Sequence, residues 1–141
     1  MQRILTLCIG NICRSPLAEV LLAREFPQRT VWSAGLGALV GEPADPTSIA
    51  LAAEQGLDLQ RHRAQQVTSQ MCQRADVILV MEQHHRAELE RRYPVVRGKV
   101  FCLGERDIAD PFRLPRSAFE EAYADIERGV AGWAQRIRKL G

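Results

Sequence analysis

The stretch CIGNICRSP, residues 8–16, decides the fold of this chain. An apolar run, ILTL at residues 4–7, precedes it, and an amphipathic run at residues 17–26 follows it. A short apolar run is typical of a buried strand, and apolar residues at helical spacing indicate a helix that covers a core. The sequence therefore predicts a strand, a tight loop and the start of a helix in immediate succession.

The loop between these two elements has the composition of an anion-binding turn. Gly10 and Asn11 are the residue types that tolerate left-handed backbone geometry. Pro16 suits the first turn of a helix, and Ser15 just before it is a suitable N-cap. Backbone N–H groups converge at such a turn and the helix dipole adds positive potential. We therefore expect an anion to bind in this loop.

Cys8 enters the loop and Arg14 leaves it, so a thiol and a guanidinium face the same expected anion. The thiolate is the nucleophilic form of cysteine, and a positively charged turn at a helix start favours it. Arginine binds a phosphate through two parallel hydrogen bonds. These residues together indicate phosphoryl transfer to sulfur.

Length and composition limit the possible functions. With 141 residues, 46% hydrophobic and 26% charged, the chain is of the size and composition of one globular domain, residues 1–141. A net charge of +2 gives no support to nucleic-acid binding. We expect a cytoplasmic protein with no stable membrane insertion, because no signal peptide or spanning run is visible. The four cysteines lack zinc-site spacing, and we expect no metal and no cofactor.

Predicted strands and helices alternate along the chain. Apolar runs separated by helices indicate a parallel sheet in a doubly wound α/β fold, here with four strands flanked by helices. Ligands in such folds bind at the carboxyl ends of the strands. Cys8 follows the first predicted strand and Asp110 follows the fourth, so both belong to that end. The predicted strands are 4–7, 30–33, 77–81 and 99–103, and the predicted helices are 16–26, 45–55, 68–75, 82–93 and 117–140.

The chain resembles the low-molecular-weight protein tyrosine phosphatases over essentially its whole length. The resemblance is carried by residues 8–16 and by the segments SAG at 33–35, ADP at 44–46, HRA at 62–64 and DPF at 110–112. The run SAGLGALVG, residues 33–41, is most similar to the bacterial branch that works with exopolysaccharide and capsule synthesis. The resemblance implies a phosphotyrosine protein as substrate, such as a bacterial tyrosine autokinase.

The resemblance also implies residue roles. Cys8 would be the nucleophile, Arg14 would bind the phosphoryl oxygens, and Asp110 would be the general acid and then the general base. On the residues alone, the acids Asp107, Glu105 and Asp125 remain alternatives to Asp110. The phosphate-binding loop would comprise Ile9, Gly10, Asn11, Ile12, Cys13 and Ser15, with Ser33 and His62 as its support and Leu39 and Phe112 as the walls of the substrate slot.

Several further expectations concern single side chains. Ser15 has two competing possible tasks, capping the helix or donating a hydrogen bond to the Cys8 sulfur, and the resemblance favours the second. A cysteine at position 13 can form a disulfide with the nucleophile or only pack beneath the loop. Arg113 stands where many eukaryotic relatives have a second aromatic residue. His84 and His85 are expected to be solvated on an exposed helix.

Two rival functions are compatible with parts of this pattern. An arsenate reductase of the same fold would need two further, closely spaced cysteines, whereas Cys72 and Cys102 lie 30 positions apart. A catalytically silent phosphotyrosine-binding module would need neither a thiol nor an acid. The combination of Cys8, Arg14 and Asp110 therefore favours the phosphatase.

Overall fold

In the computed structural model, which describes residues 1–140, a parallel sheet of four strands forms the centre of the protein. The first strand, β1 (Arg3–Cys8), pairs with both β2 (Thr30–Gly35) and β3 (Val77–Val80). The edge strand β4 (Val100–Cys102) pairs with β3. The order β2-β1-β3-β4 with parallel pairing throughout confirms the predicted doubly wound fold.

The helices lie close to their predicted positions, with one informative difference. The first helix begins at Arg14, two residues before Pro16, and its N-cap is Cys13, without a side-chain cap. Of the two tasks considered for Ser15, capping is therefore wrong, because Ser15 lies within the first turn, and its hydroxyl contacts the Cys8 sulfur instead. The helices are α1 (Arg14–Glu25), α2 (Pro46–Glu54), α3 (Ser69–Arg74), α4 (Gln83–Arg92) and α5 (Arg116–Lys139), with a 3-10 turn at Pro94–Val96.

Two hydrophobic cores cover the two faces of the sheet. Successive residues of a strand point to opposite faces, so Ile4 and Leu5 of β1 enter different cores. Ile4 belongs to the core built with α1, α2 and α5, and Leu5 belongs to the core built with α3 and α4. Burial on both faces explains why β1 and β3 are apolar at nearly every position.

The last helix, α5, carries an apolar stripe whose residues recur at helical spacing. Every member of the stripe is buried in the core shared with α1, which confirms it as packing surface. The indole N–H of Trp133 also donates to the carbonyl of Cys102 at 3.1 Å, which fixes α5 against the end of β4. The stripe consists of Phe119, Tyr123, Ile126, Val130, Trp133 and Ile137.

None of the helices within residues 1–140 has the length and apolarity needed to cross a membrane.

The contact between α5 and the chain after β4 depends on a glycine, which gives a stability prediction. A Cβ on Gly129 would lie 2.8 Å from Leu103 Cγ and 2.9 Å from its carbonyl oxygen, whereas a Cβ on Gly132 would meet nothing within 4 Å. We expect Gly129→Ala to lower the free energy of unfolding by about 1–3 kcal/mol through overpacking. Gly132→Ala, the control in the same helix, should raise it by up to about 1 kcal/mol. Urea denaturation measures both, and equal effects would contradict the close approach.

Candidate active site

The loop from Cys8 to Ser15 connects the carboxyl end of β1 to the start of α1. Residues outside the loop donate hydrogen bonds to the carbonyl groups of residues 8–12. The carbonyls of residues 8–12 each accept a hydrogen bond from the segment 36–45 or from His62. The loop backbone is therefore clamped in one orientation. The donors to residues 8, 9, 10 and 12 are the amides of Leu36, Gly37, Leu39 and Asp45, at 2.8–3.1 Å.

Backbone amides of the same loop have no acceptor within the described part of the chain and are available to a ligand. Among residues 1–140, no protein group accepts a hydrogen bond from the amides of residues 9–13. Asn11 turns the chain with a φ of 59°, as its residue type predicts, whereas Gly10 has no positive φ. Unpaired amides that follow one another at a helix start form an anion-binding concavity. The backbone thus supports the predicted anion site.

A chain of hydrogen bonds fixes the proton that faces the Cys8 sulfur. The amide nitrogen of Asn11 donates to the hydroxyls of Ser15 and Ser33, both at 2.9 Å. The Ser33 hydroxyl in turn donates to a carboxylate oxygen of Glu19 at 2.6 Å. Because the Ser15 oxygen already accepts from Asn11, its own proton is free to point at the Cys8 Sγ, 2.9 Å away. Ser15 is therefore placed to donate to the thiolate.

Two further contacts hold Asn11. His62 Nε2 lies 2.6 Å from the Asn11 carbonyl, so the ring donates from Nε2, and the Gln65 amide donates to Asn11 Oδ1 at 2.9 Å. Burial raises the pKa of Glu19, which the Ser33 hydrogen bond and the charge of His62 oppose. The structure thus brings Ser33 and His62 to the loop, and it adds Glu19 and Gln65, which sequence reasoning missed. An acid on the inward side of an amphipathic helix was the available signal for Glu19.

The Arg14 guanidinium is buried and held by two fixed partners. Its Nη1 donates to Glu82 Oε2 at 2.6 Å and to the Ile108 carbonyl at 2.7 Å, and the side chain is 1% exposed. Its Nε is buried with no protein partner among residues 1–140. Burial acts to raise the pKa of Glu82, but the Arg14 hydrogen bond and charge hold it below its usual value. Glu82 was missed, although an acid directly after a buried strand was a signal.

Asp110 faces the same guanidinium from a loop on the other side. Its Oδ2 lies 3.6 Å from Arg14 Nη2, its Oδ1 accepts from the Phe112 amide at 3.1 Å, and its side chain is 44% exposed. Among the four acids considered from the sequence, Asp110 is the one that forms an ion pair with Arg14 within residues 1–140. Asp107 accepts instead from the Gln83 amide at the start of α4.

The remaining acids, Asp125 and Glu105, are placed differently. Asp125 pairs with Arg128 along α5, and Glu105 is exposed. The geometry therefore favours Asp110 as the acid of the site.

The rim of the site is apolar and exposed. Leu39 and Phe112 are 43% and 38% exposed, and the Leu39 side chain lies close to Gly10 of the loop. Arg113 has a φ of 65° and places its guanidinium over the Phe112 ring, 5.1 Å from the centroid. Arg113, which stands where many eukaryotic relatives have a second aromatic residue, therefore stacks on the Phe112 ring.

Cys13 and His85 are two buried side chains near the loop. Cys13 is buried, and desolvation together with the charge of Asp45 raises the pKa of its thiol far above the usual value. The prediction of solvated histidines holds for His84 but is wrong for His85, which is fully buried. His85 faces inward from α4, with Nε2 3.3 Å from Glu82 Oε2. Burial and the charge of Arg14 lower its pKa to about 4.

Comparison with known proteins identifies the family. Residues 3–140 match the family model described as low molecular weight phosphotyrosine protein phosphatase, and the chain belongs to this family. It is 51% identical over its whole length to a protein of Ralstonia nicotianae named "Probable low molecular weight protein-tyrosine-phosphatase EpsP", of which it covers 99%. The resemblance found in the sequence is therefore confirmed.

Solved structures agree with this assignment. The structure of the Erwinia amylovora tyrosine phosphatase AmsI is 45% identical, with a TM-score of 0.93 and coverage of 96% of this chain and 92% of that one. Wzb of Vibrio vulnificus, solved in complex with benzylphosphonate, is 41% identical, with a TM-score of 0.92 and coverage of 95% and 97%. These relatives favour a tyrosine phosphatase over an arsenate reductase.

The close approach of Gly35 to the loop gives a prediction about anion binding. A Cβ on Gly35 would clash with the Ile9 carbonyl oxygen, whereas a Cβ on Gly37 would meet nothing within 4 Å. We expect Gly35→Ala to displace the loop and weaken phosphate binding by about 5- to 150-fold, the equivalent of a packing defect of about 1–3 kcal/mol. Gly37→Ala should bind phosphate like the parent chain. Titration calorimetry with inorganic phosphate measures the difference, and unchanged affinity in Gly35→Ala would contradict the proposed constraint.

Proposed function

We propose that this chain hydrolyses phosphotyrosine in protein substrates through a phosphocysteine formed on Cys8. The observation that carries the proposal is the loop itself, in which the Cys8 sulfur lies beneath amides that have no protein acceptor. Arg14 borders the same space as a buried cation, and Asp110 faces Arg14 at 3.6 Å. A nucleophile, an oxyanion site and a proton donor thus converge on the position of one phosphoryl group.

The first chemical step transfers the phosphoryl group to sulfur. The Cys8 thiolate attacks phosphorus in line, the S–P bond forms, and the P–O bond to the tyrosine ring breaks. Arg14 and the loop amides bind the three non-bridging oxygens, where negative charge is concentrated. Asp110 gives its proton to the departing phenolate oxygen, whose basicity, near a pKa of about 10, makes it a poor leaving group without that proton.

The second step returns the thiolate. Asp110, now a carboxylate, takes a proton from a water that attacks phosphorus, and the S–P bond breaks to release inorganic phosphate. The Ser15 hydroxyl donates to the sulfur as it regains negative charge, at the 2.9 Å separation described above. This interaction stabilises the leaving thiolate and belongs mainly to the second step.

The proposed reaction uses no metal or cofactor. The amides of residues 9–13 and the Arg14 guanidinium together supply the positive potential that a metal ion provides in other phosphoryl-transfer enzymes. The nucleophile is a side chain of the protein, so metal activation of a water is not needed for the first step. We assign Cys8, Arg14 and Asp110 to chemistry on this basis.

The depth of the site explains the proposed choice of tyrosine. Cys8 is 2% exposed, whereas Leu39 and Phe112 are exposed, which supports a nucleophile at the bottom of a slot with these two residues as its walls. A phosphotyrosine side chain is long enough to deliver its phosphate there, and its ring can contact both walls. A phosphoserine side chain is too short to do so without burying the peptide backbone. Binding of benzylphosphonate by the Vibrio relative supports an aryl-bearing phosphorus ligand in this family.

The proposed biological setting is exopolysaccharide production. The run of residues 33–41 resembles the bacterial branch of that pathway, and EpsP and AmsI are among the relatives of this chain. We propose a bacterial tyrosine autokinase as the protein substrate and the cytoplasm as the place of action. Cys13, in the same loop, is proposed to respond to peroxide: peroxide oxidises the Cys8 thiolate to a sulfenic acid, and the Cys13 thiol then attacks that sulfur, forming the S–S bond and releasing water.

Substrate class and mechanism are tested together by matched peptides. We expect kcat/KM for a phosphotyrosine peptide to exceed that for its phosphoserine counterpart by at least about a hundredfold, with EDTA present. Phe112→Ala should reduce this ratio by removing ring contacts worth about 1 kcal/mol. Cys8→Ser should have no turnover while it still binds inorganic phosphate. Similar values for both peptides, or loss of activity in EDTA, would overturn the proposal.

The role of Asp110 is tested by the basicity of the leaving group. Asp110→Asn should slow hydrolysis of phenyl phosphate far more than that of p-nitrophenyl phosphate, because protonation matters when the departing oxygen is basic. Asp107→Asn is the matched control, since Asp107 is a nearby acid that accepts from the Gln83 amide and, within residues 1–140, forms no ion pair with Arg14. Rates for both esters, measured under single-turnover conditions, give the comparison. Equal loss on the two esters would remove Asp110 from the role of general acid.

A further inference from the structure

A groove beside the phosphate-binding loop is bordered by a group of ionisable side chains that have no assigned step in the proposed reaction. The groove has a volume of about 420 Å³ and lies between Ile9, Leu36 and the outer side of α4. His84 and His85 line it, and Glu82 precedes them at the start of the helix. One donor atom from each of these three residues lies within 4.8 Å of the other two.

The distances within this group resemble those between the ligands of one metal ion. His84 Nε2 lies 3.1 Å from Glu82 Oε1, and His85 Nε2 lies 3.3 Å from Glu82 Oε2. Zinc bonds to nitrogen and oxygen of about 2.0–2.1 Å in a tetrahedral site separate neighbouring donors by about 3.3 Å. Each ring nitrogen thus lies at such a separation from one of the two Glu82 oxygens. All three donors lie within 4.8 Å, so one shared ion requires them to move closer together.

His85 supplies a second and independent observation. The side chain is fully buried, yet neither of its ring nitrogens has a hydrogen-bond partner within residues 1–140. Buried polar atoms normally have such a partner, so an unpaired imidazole requires an explanation. Its Nε2 lies 3.3 Å from Glu82 Oε2 without forming a hydrogen bond to it, and His84, whose side chain is 69% exposed, lies on the solvent side of the group. A cation that enters from the groove would satisfy this nitrogen.

We propose that Glu82, His84 and His85 form an inhibitory site for zinc or a similar divalent transition metal. Imidazole and carboxylate ligands suit zinc, copper and nickel ions, whereas an all-oxygen set would suit magnesium or calcium. No proton transfer or redox step is involved. The metal accepts electron pairs from one or both Glu82 oxygens and from the two neutral imidazoles.

Metal binding would inhibit the enzyme because Glu82 would be both a metal ligand and the partner of Arg14. Its Oε2 is the oxygen that Arg14 contacts at 2.6 Å, and the same oxygen faces His85. A metal ion bound there withdraws the carboxylate from Arg14 and places a second cation near the guanidinium. Arg14 then loses the contact that directs it at the phosphate. This consequence rests on the proposed function of the chain, whereas metal binding itself does not.

Calorimetry tests the site without relying on activity. The Cys8→Ser chain should be titrated with zinc chloride, because the Cys8 thiol is itself a zinc ligand and must be absent. We expect one zinc ion per chain, with affinity reduced at least about tenfold when His84→Ala is added. Gln83→Ala, an exposed neighbour outside the group, is the matched control and should bind like the parent. No binding, or equal binding in His84→Ala, would overturn the proposal.

Inhibition is then measured in chains that keep Cys8, each relative to its own metal-free rate. The zinc concentration for half inhibition of p-nitrophenyl phosphate hydrolysis should rise at least about tenfold in His84→Ala and stay the same in Gln83→Ala. Equal sensitivity of all three chains would show that zinc acts elsewhere and would overturn the inhibitory role. A chain without phosphatase activity would contradict the proposed function, while the calorimetric result would still decide the metal site.

Discussion

The outward hydrogen bonding of the loop carbonyls at residues 8–12 is the constraint on which the site depends. Because each carbonyl already has a donor, the peptide planes cannot rotate, and the amides between them remain directed at the ligand position. In the proposed reaction the loop would therefore need no rearrangement to bind a phosphoryl group.

Arg14 shows how the fold keeps a charge in its interior. An isolated buried guanidinium is unfavourable, and Glu82 and the Ile108 carbonyl compensate part of that cost through one terminal nitrogen. Asp110 adds a longer contact, and the buried Nε has no protein partner within residues 1–140. The Arg14 guanidinium therefore keeps N–H donors that no protein group accepts within residues 1–140. In the proposed function these donors would bind the phosphoryl dianion. The same carboxylate that positions Arg14 also links it to His85.

The sequence was sufficient to predict the order of elements, the parallel sheet and the position of Cys8 and Asp110 after the first and fourth strands, because these follow from local periodicity and from the rule for strand ends. It did not reveal Glu82, which lies 68 positions from Arg14 and has no local pattern that marks its partner. Helix capping was one of the two tasks considered for Ser15 because capping is a local rule, whereas its actual partners are fixed by the loop. His85 was assigned to solvent since one helical turn does not show which side packs inward.

The clamped loop also has a consequence for the end of the proposed catalytic cycle. Its amides and Arg14 recognise the phosphoryl oxygens and not the tyrosine ring, so free phosphate retains most of the contacts that the substrate made. In the proposed cycle, inorganic phosphate and the substrate would therefore compete for the same amides and for Arg14. A rising concentration of inorganic phosphate would then lower the fraction of the enzyme that is free to bind the next phosphotyrosine.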